Sequence, residues 1–180
     1  MKYLKIPLER VGVLIGQNGE TKKELEKKTG LKLDINSEEG EVELIENKNT
    51  DQLTILKTGN IIRAIGRGFS PDNAFLLLSD QMDFYLFDLH DYVGKKSSHV
   101  RRLKSRVIGK KGKTRRILEE LTYSKISVYG HTISVISDII NINIVKKSIE
   151  MILKGSKHAT VYRFVEKKMK ELKRSQTLGF

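Results

Sequence analysis

Apolar residues along the 180-residue chain recur with two different periods, and the two periods follow each other in a fixed order. Strict alternation of apolar and polar residues, as in 31–35, is typical of a half-buried strand. Apolar residues three or four positions apart within charged segments are typical of amphipathic helices. In the first 70 residues the predicted elements are a strand at 3–6, helices at 9–15 and 21–29, strands at 31–35 and 42–44, and a last helix capped by Thr50 or Asp51.

The same order of elements is predicted again in the second half of the chain. These elements are a strand at 84–87, a basic helix with Val100, Leu103 and Val107 on one face, a helix at 114–121, strands at 126–128 and 133–136, and a helix capped by Asp138 that ends at Leu153. Residues 69–79 are predicted to form a connector with a short helix. After Gly155 the spacing of five apolar residues predicts an extra amphipathic helix: Val161, Phe164, Val165, Met169 and Leu172.

An internal repeat explains why the order recurs. A shift of 93 residues aligns 14–35 with 107–128 and gives eight identities in 22 positions. The aligned residues include two glycine-containing tetrapeptides, Gly16-Gln17-Asn18-Gly19 and Gly109-Lys110-Lys111-Gly112. Two copies are too few for a solenoid. The chain is therefore predicted to contain a duplicated small domain.

Composition and charge narrow the class of protein. The chain has 34 Lys and Arg against 22 Asp and Glu, for a net charge of +12, and its 38% apolar fraction is enough to form packed cores. The absence of cysteine excludes disulfides, thiolate zinc sites and a cysteine nucleophile. No apolar run approaches the roughly 18 residues of a membrane span, and the first residues lack the pattern of a signal peptide. We expect a cytoplasmic protein that does not associate with membranes.

Nearly all of the excess positive charge lies in one window. Residues 95–116 contain 11 basic side chains and no acidic one, whereas residues 71–94 contain five aspartates and no Lys or Arg. Residues 1–70 are almost neutral, with 12 basic and 11 acidic side chains. A block of like charge this dense repels itself and usually serves to bind an anion.

The repeated tetrapeptide gives the charge a structural context. A single G-x-x-G is a weak signal, but here it occurs twice in register, each time preceded by Ile and followed by a helix that begins with Thr and two basic residues. This combination resembles the KH domain of eukaryotic and archaeal proteins. The resemblance implies an α+β fold of two tandem KH domains, each with β-α-α-β-β-α order and a three-stranded antiparallel sheet packed on helices. The expected bounds are 1–70 for the first KH domain, 71–82 for a connector, 83–155 for the second KH domain and 156–180 for a C-terminal amphipathic helix and tail.

The resemblance also implies how the two copies bind RNA. Glycines let the backbone approach a phosphate, and the amides at the start of the next helix supply donors. KH domains clamp about four nucleotides of a single strand in this way. Apolar walls would receive the bases: Val13, Ile15, Leu33 and Ile35 in the first copy, and Val107, Ile108, Ile126 and Val128 in the second. The expected RNA-binding residues are Gly16, Gln17, Asn18, Gly19, Lys22, Lys23, Ile35, Arg106, Gly109, Lys110, Lys111, Gly112, Lys113, Arg115, Arg116, Ile108 and Val128.

The two loops differ in their side chains. The second has lysines at both central positions, whereas the first has Gln17 and Asn18 and is followed by Glu20. Two interpretations of the first copy are open: it binds RNA weakly through backbone amides, or it has a structural or protein-binding role.

Two segments of the second copy resemble one family in particular. They are similar to the archaeal counterparts of the partner-of-Nob ribosome assembly factors. The two segments are Val107-Ile108-Gly109-Lys110-Lys111-Gly112-Lys113-Thr114-Arg115 and Ile126-Ser127-Val128-Tyr129-Gly130. This resemblance implies binding to single-stranded rRNA at the 3′ end of the small-subunit (16S) rRNA. It also implies two protein partners, a Nob-type endonuclease and the alpha subunit of an initiation factor.

Other functions have less support from the residues. The residues Gly112-Lys113-Thr114 match the last three positions of the P-loop motif. That motif also needs a glycine at the position of Val107 and a preceding strand. The four histidines have no ligand spacing, so neither a metal site nor a cofactor is expected. The aspartates from Asp80 to Asp91 fit an exposed strand face better than a catalytic cluster. We therefore expect a protein that is not an enzyme, and the alternative is an interaction adaptor with only one RNA-competent KH domain.

Overall fold

The chain forms two compact units that divide between Asp80 and Gln81. The computed structural model describes residues 2–46 and 50–177. Within these residues, no helix is both long enough and apolar enough to cross a membrane.

Among its described residues, the first unit contains three strands and four α-helices. They are β1 (Lys2–Lys5), α1 (Leu8–Ile15), α2 (Glu20–Thr29), β2 (Lys32–Asn36), β3 (Glu41–Ile45), α3 (Gln52–Gly66) and α4 (Pro71–Phe75). The helix α2 ends where the sequence predicts, because Gly30 adopts the left-handed conformation (φ +71°) that closes a helix. Ser70 caps α4 by accepting the backbone N–H of Asn73, and the 3-10 turn after α4 packs with it on α3.

The strands of the first unit form an antiparallel sheet in the order β1-β3-β2. Leu4 pairs with Val42, and Ile35 pairs with the same residue from the other side. Side chains on one face of this sheet, together with the inner faces of α1, α2 and α3, form the core. Its fully buried members include Leu14, Leu25, Leu44, Ile61, Ile62 and Ile65.

The second unit repeats this arrangement and adds a long helix. Its elements are β4 (Met82–Asp88), α5 (His90–Val93), α6 (Ser97–Ile108), α7 (Lys113–Thr122), β5 (Lys125–Tyr129), β6 (Thr132–Asp138), α8 (Ile142–Leu153) and α9 (His158–Thr177). The sheet order is β4-β6-β5, again antiparallel. Val161, Val165 and Met169 of α9 lie in the same core as Leu118 of α7 and Ile149 of α8.

One predicted helix boundary is wrong. Asp138 does not cap the helix that ends at Leu153, since it is the last residue of β6 and its carboxylate accepts the backbone N–H of Ile140. The chain makes a further turn, and α8 begins only at Ile142, after Asn141. The two-KH α+β architecture with a C-terminal helix is confirmed.

We predict opposite effects for two glycine substitutions within helices. A Cβ at Gly66 would lie 2.7 Å from Cγ2 of the buried Ile6, whereas a Cβ at the exposed Gly12 would meet nothing within 4 Å. Gly66→Ala should lower the free energy of unfolding by about 1–3 kcal/mol through overpacking. Gly12→Ala should raise it by up to about 1 kcal/mol through helix propensity. Urea denaturation followed by circular dichroism measures both, and equal effects of the two variants would contradict this account of Gly66.

Candidate nucleic-acid interface

Both G-x-x-G tetrapeptides form the same tight turn between two helices. Gly16 (φ +75°, ψ +174°) and Gly109 (φ +73°, ψ +176°) adopt a conformation that is essentially restricted to glycine. Gly19 and Gly112 are left-handed, with φ of +78° and +77°. The duplication seen in the sequence therefore extends to the backbone torsions of the loops.

A threonine packs directly behind the first glycine of each loop. A Cβ added at Gly109 would collide with the Thr114 side chain and lie 2.7 Å from its backbone nitrogen, and Gly16 has the same relation to Thr21. The turn can therefore close only with glycine at these two positions, which explains the paired identities Gly16/Gly109 and Thr21/Thr114 in the repeat.

Each loop leads into the N-terminus of a ten-residue helix. Among the described residues, no side chain caps α2 or α7. The first-turn amides of a helix carry a partial positive charge and are suited to binding an anion. Because Gly19 and Gly112 have no side chain at the entrance to these helices, a phosphate could approach the backbone closely.

The charges around the two loops differ strongly. The cleft beside the second loop, about 620 Å³, is lined by four basic side chains and one acidic one. The cleft beside the first loop, about 740 Å³, is lined by two basic and two acidic side chains. Lys110, Lys111 and Lys113 are exposed, so their ammonium groups face solvent at the second loop.

Basic side chains of the following helices brace the loops at equivalent positions. Lys23 donates to the carbonyl of Asn18 at 3.4 Å, and Arg116 donates to the carbonyl of Lys111 at 3.5 Å. Arg115 pairs with Glu119 at 3.7 Å, which partly offsets its charge. Of the predicted RNA-binding cations, these three therefore also have partners within the fold.

Arg106 lies in a different environment from the loop lysines. Its guanidinium donates to the carbonyls of Ile152 and Ser156 at the end of α8, at 3.2 and 2.8 Å. Arg10 makes the same contacts in the first unit, to the carbonyls of Ile65 and Phe69. In each unit one of the two carbonyls belongs to the last turn of the closing helix, and the other lies just beyond the end of that helix. The structure thus gives Arg106 a role in joining α6 to α8.

The helix α9 contacts residues on both sides of the second loop through two side chains that the sequence analysis missed. The Tyr162 hydroxyl donates to Oγ1 of Thr114 at 3.2 Å, and the His158 ring nitrogen Nε2 is 2.9 Å from the carbonyl oxygen of Arg106. The spacing of apolar residues in α9 predicted only which side of this helix packs on the core. A signal was present, because His158 and Tyr162 are four residues apart and so lie on one side of the helix.

Only part of the predicted apolar walls is available to a ligand. Ile35, Ile108 and Val128 are half-buried, and so are Val13 and Ile15. The prediction is wrong for three further residues, which are at most 3% exposed and belong to the cores: Leu33, Val107 and Ile126. Leu33 and Ile35 share one face of β2, as Ile126 and Val128 share one face of β5, and on each strand the first residue is buried in the core whereas the second is half-buried nearer the strand end.

The second loop lacks the features of a P-loop. The helix α6 precedes it in place of a strand, and Val107 is a fully buried core residue. Thr114 is also buried, at 4% exposure, and its hydroxyl accepts from Tyr162. The threonine that would hold a magnesium ion in a P-loop therefore packs inside the protein.

Comparison with known protein families agrees with this geometry. Residues 83–170 match the model described as eukaryotic type KH-domain (KH-domain type I), and residues 1–65 match the KH domain model.

Relatives of the whole chain are found in archaea and eukaryotes. The KH domain-containing protein MJ0443 of Methanocaldococcus jannaschii is 44% identical over 98% of this chain and 77% of its own length. The pre-rRNA-processing protein PNO1 of Debaryomyces hansenii is 29% identical over 78% of this chain and 57% of its own, so the chain spans little more than half of that relative. A chain in the crystal structure of the a/eIF2alpha-aDim2p-rRNA complex from Pyrococcus horikoshii OT3 is 44% identical, with a TM-score of 0.87 over 94% of each chain.

We predict that the two glycines of the second loop differ in their tolerance of a side chain. Gly109→Ala should lower the free energy of unfolding by about 3 kcal/mol, because backbone strain adds to overpacking against Thr114. Gly112→Ala meets nothing within 4 Å and should cost only about 1–2 kcal/mol from its left-handed torsions.

Guanidinium denaturation of the full chain measures both values. Hydrogen exchange of the α7 amides then tests whether the loss is local to the loop. If Gly112→Ala were as destabilising as Gly109→Ala, the contact with Thr114 would not be the cause.

Proposed function

Because the chain belongs to the family of two-KH-domain proteins that includes MJ0443 and PNO1, we propose that it binds single-stranded rRNA as an assembly factor of the small ribosomal subunit. The proposed target is the 3′ end of 16S rRNA or its precursor. The observation that carries the proposal is the second loop, where glycine-restricted torsions, an uncapped helix N-terminus and three exposed lysines coincide.

The second loop is proposed to hold the RNA backbone. Backbone amides in the first turn of α7 donate to a phosphate, and the helix dipole adds to their attraction. Lys110, Lys111 and Lys113 neutralise the neighbouring phosphates, with Arg115 and Arg116 strengthening the field. Phosphate contacts of this kind position the strand but do not read its sequence.

The bases are proposed to lie against the half-buried apolar residues next to the loop. Ile108 ends α6 just before Gly109, and Val128 lies near the end of β5. Single-stranded bases expose apolar faces that such side chains can cover. In the first unit, Ile35 on β2 is the corresponding position.

The first loop is proposed to contribute less to affinity than the second. Its backbone can present amides equally well, since Gly16 and Gly19 have the same torsions as their counterparts. Its cleft, however, has no net charge, because Glu20 and Glu24 offset Lys23 and Lys27. We propose that Gln17, Asn18, Lys22 and Lys23 contact RNA weakly and that most of the affinity comes from the second unit. This charge balance is also what favours the alternative, an adaptor with one RNA-competent KH domain.

The proposed partners follow from the chemistry of the interface and from the relatives. The Pyrococcus complex contains a/eIF2alpha and rRNA beside aDim2p, which supports rRNA and an initiation factor alpha subunit as partners here. A Nob-type endonuclease remains a prediction from the family resemblance. We propose a binding protein without catalytic activity of its own, which acts by holding RNA for other factors.

Charge reversal at each loop tests the assignment. Lys110→Asp with Lys111→Asp should weaken binding of a single-stranded 16S 3′-end oligonucleotide more than tenfold, because two phosphate contacts become repulsive. Gln17→Asp with Asn18→Asp should weaken it less. The matched control, Lys167→Asp with Lys170→Asp on the exposed side of α9, makes the same change in net charge as the first pair. Fluorescence anisotropy at fixed salt gives the three affinities.

The salt dependence of binding provides a second measurement. For single strands the slope of log K against log salt changes by about 0.7 per phosphate contact. Lys110→Gln with Lys111→Gln should therefore reduce the slope by about 1.4. If neither double variant at Lys110 and Lys111 changed the affinity for RNA, the assignment of the second loop would be overturned. If RNA binding by the unmodified chain did not depend on salt, an RNA-free adaptor would be favoured.

A further inference from the structure

The fold brings together two histidines and an aspartate that the sequence spacing keeps apart. Asp88 ends β4, His90 begins α5 two residues later, and His131 lies 41 residues further on, in the turn between β5 and β6. One nitrogen of each histidine and a carboxylate oxygen of Asp88 all lie within 4.8 Å of one another. We propose that Asp88, His90 and His131 form a binding site for a divalent transition metal ion, with Zn²⁺ as the best match.

The backbone fixes this convergence. Asp88 is paired with Thr132 at the end of the β4–β6 ladder. The ladder is extended by a hydrogen bond from the N–H of Leu89 to the carbonyl of His131, at 2.9 Å. His90 and His131 therefore start from adjacent backbone positions, and the site needs no rearrangement of the main chain.

Each histidine nitrogen lies about as far from one carboxylate oxygen of Asp88 as two ligands of a tetrahedral ion lie from each other. His90 Nδ1 lies 3.4 Å from Oδ1 of Asp88, and His131 Nε2 lies 3.6 Å from Oδ2. With metal–ligand bonds near 2.0–2.2 Å, neighbouring ligands of tetrahedral zinc are separated by about 3.4 Å. The two imidazoles are nearly parallel, at an angle of 13° and with ring centres 4.4 Å apart, so at least one ring must turn about its side-chain torsions before both nitrogens point at one ion.

The carboxylate is already oriented by the protein. Oδ1 of Asp88 accepts the backbone N–H of His90 at 2.8 Å. Hydrogen bonds that hold a metal-binding side chain in position typically contribute 10–100-fold to metal affinity. The same contact reduces the entropy that would be lost when the side chain is ordered by an ion.

The ligand types determine the kind of ion. Two imidazoles and one carboxylate suit Zn²⁺ and its neighbours Cu²⁺, Ni²⁺ and Co²⁺, and they do not suit Mg²⁺ or Ca²⁺, which prefer oxygen ligands alone. Three protein ligands leave a fourth position for water or for a ligand from another molecule. All three side chains are half-buried, so an ion can enter from solvent. An ion here would join the end of β4 to the β5–β6 turn.

Isothermal titration of the full chain with ZnCl₂ tests the proposal directly. The expected result is saturable binding of one ion per chain, with affinity reduced at least about tenfold by His90→Ala or by His131→Ala. Asp88→Asn should also weaken binding while retaining the side-chain shape. The matched control is His99→Ala, which removes a half-buried histidine on α6 that is not part of the group. The chain has no cysteine to compete for the ion.

A spectroscopic measurement separates ligation from general stabilisation. NMR signals of the His90 and His131 rings should shift on addition of Zn²⁺, whereas those of His99 should not. Circular dichroism confirms that each variant is folded, which is expected because the three side chains are partly exposed. Binding that is absent in the unmodified chain, or that is weakened as much by His99→Ala as by His131→Ala, would overturn the proposal.

Discussion

In each unit a threonine occupies the space that a Cβ on the first loop glycine would need. At Gly109 the chain passes so near to the nitrogen of Thr114 that no Cβ fits, and the torsions there are restricted to glycine. This contact sets the angle between α6 and α7, and with it the direction in which the amides at the start of α7 point. The position of Lys110 and Lys111 follows, because both lie within the turn. A phosphate-binding function depends on this one steric constraint.

The two copies share the conformation of the loop but differ in its charge. Both units keep the glycines, the threonine and a glutamate that anchors the helix to the next strand, since Glu26 accepts the N–H of Leu33 and Glu119 accepts that of Ile126, each at 2.8 Å. Both also use an arginine to hold the end of the closing helix. The loop charges nevertheless differ, with Lys110 and Lys111 in the second loop and Gln17 and Asn18 in the first. The scaffold therefore persists without the cations, which shows that the torsions are set by packing and not by loop charge.

How far the sequence predicted the structure depended on the range of the interactions involved. Period-two and helical patterns are local, so the strands and helices were predicted to within a few residues, and the repeat identified the loops. The cap was predicted at Asp138 because aspartate is a preferred N-cap residue, whereas a turn separates Asp138 from the start of α8. The contacts of Tyr162 with Thr114 and of His131 with Asp88 join residues more than 40 positions apart. Such contacts follow from sheet register and helix packing, which no short spacing in the sequence reports.

The helix α9 provides a physical reason why the charged loop lies in the second unit. Several lysines in one turn repel each other, so a flexible loop would spread them apart and lose the field that attracts a phosphate. In the second unit α9 is buried through Val161 and Val165, and the Tyr162 hydroxyl donates to Oγ1 of Thr114, the residue that packs behind Gly109. The loop conformation is thereby maintained against the repulsion before any ligand arrives. A binding site that is already ordered loses less entropy when RNA binds. The high positive charge of the second loop therefore occurs together with its support by α9, whereas the more neutral first loop has less internal repulsion to overcome.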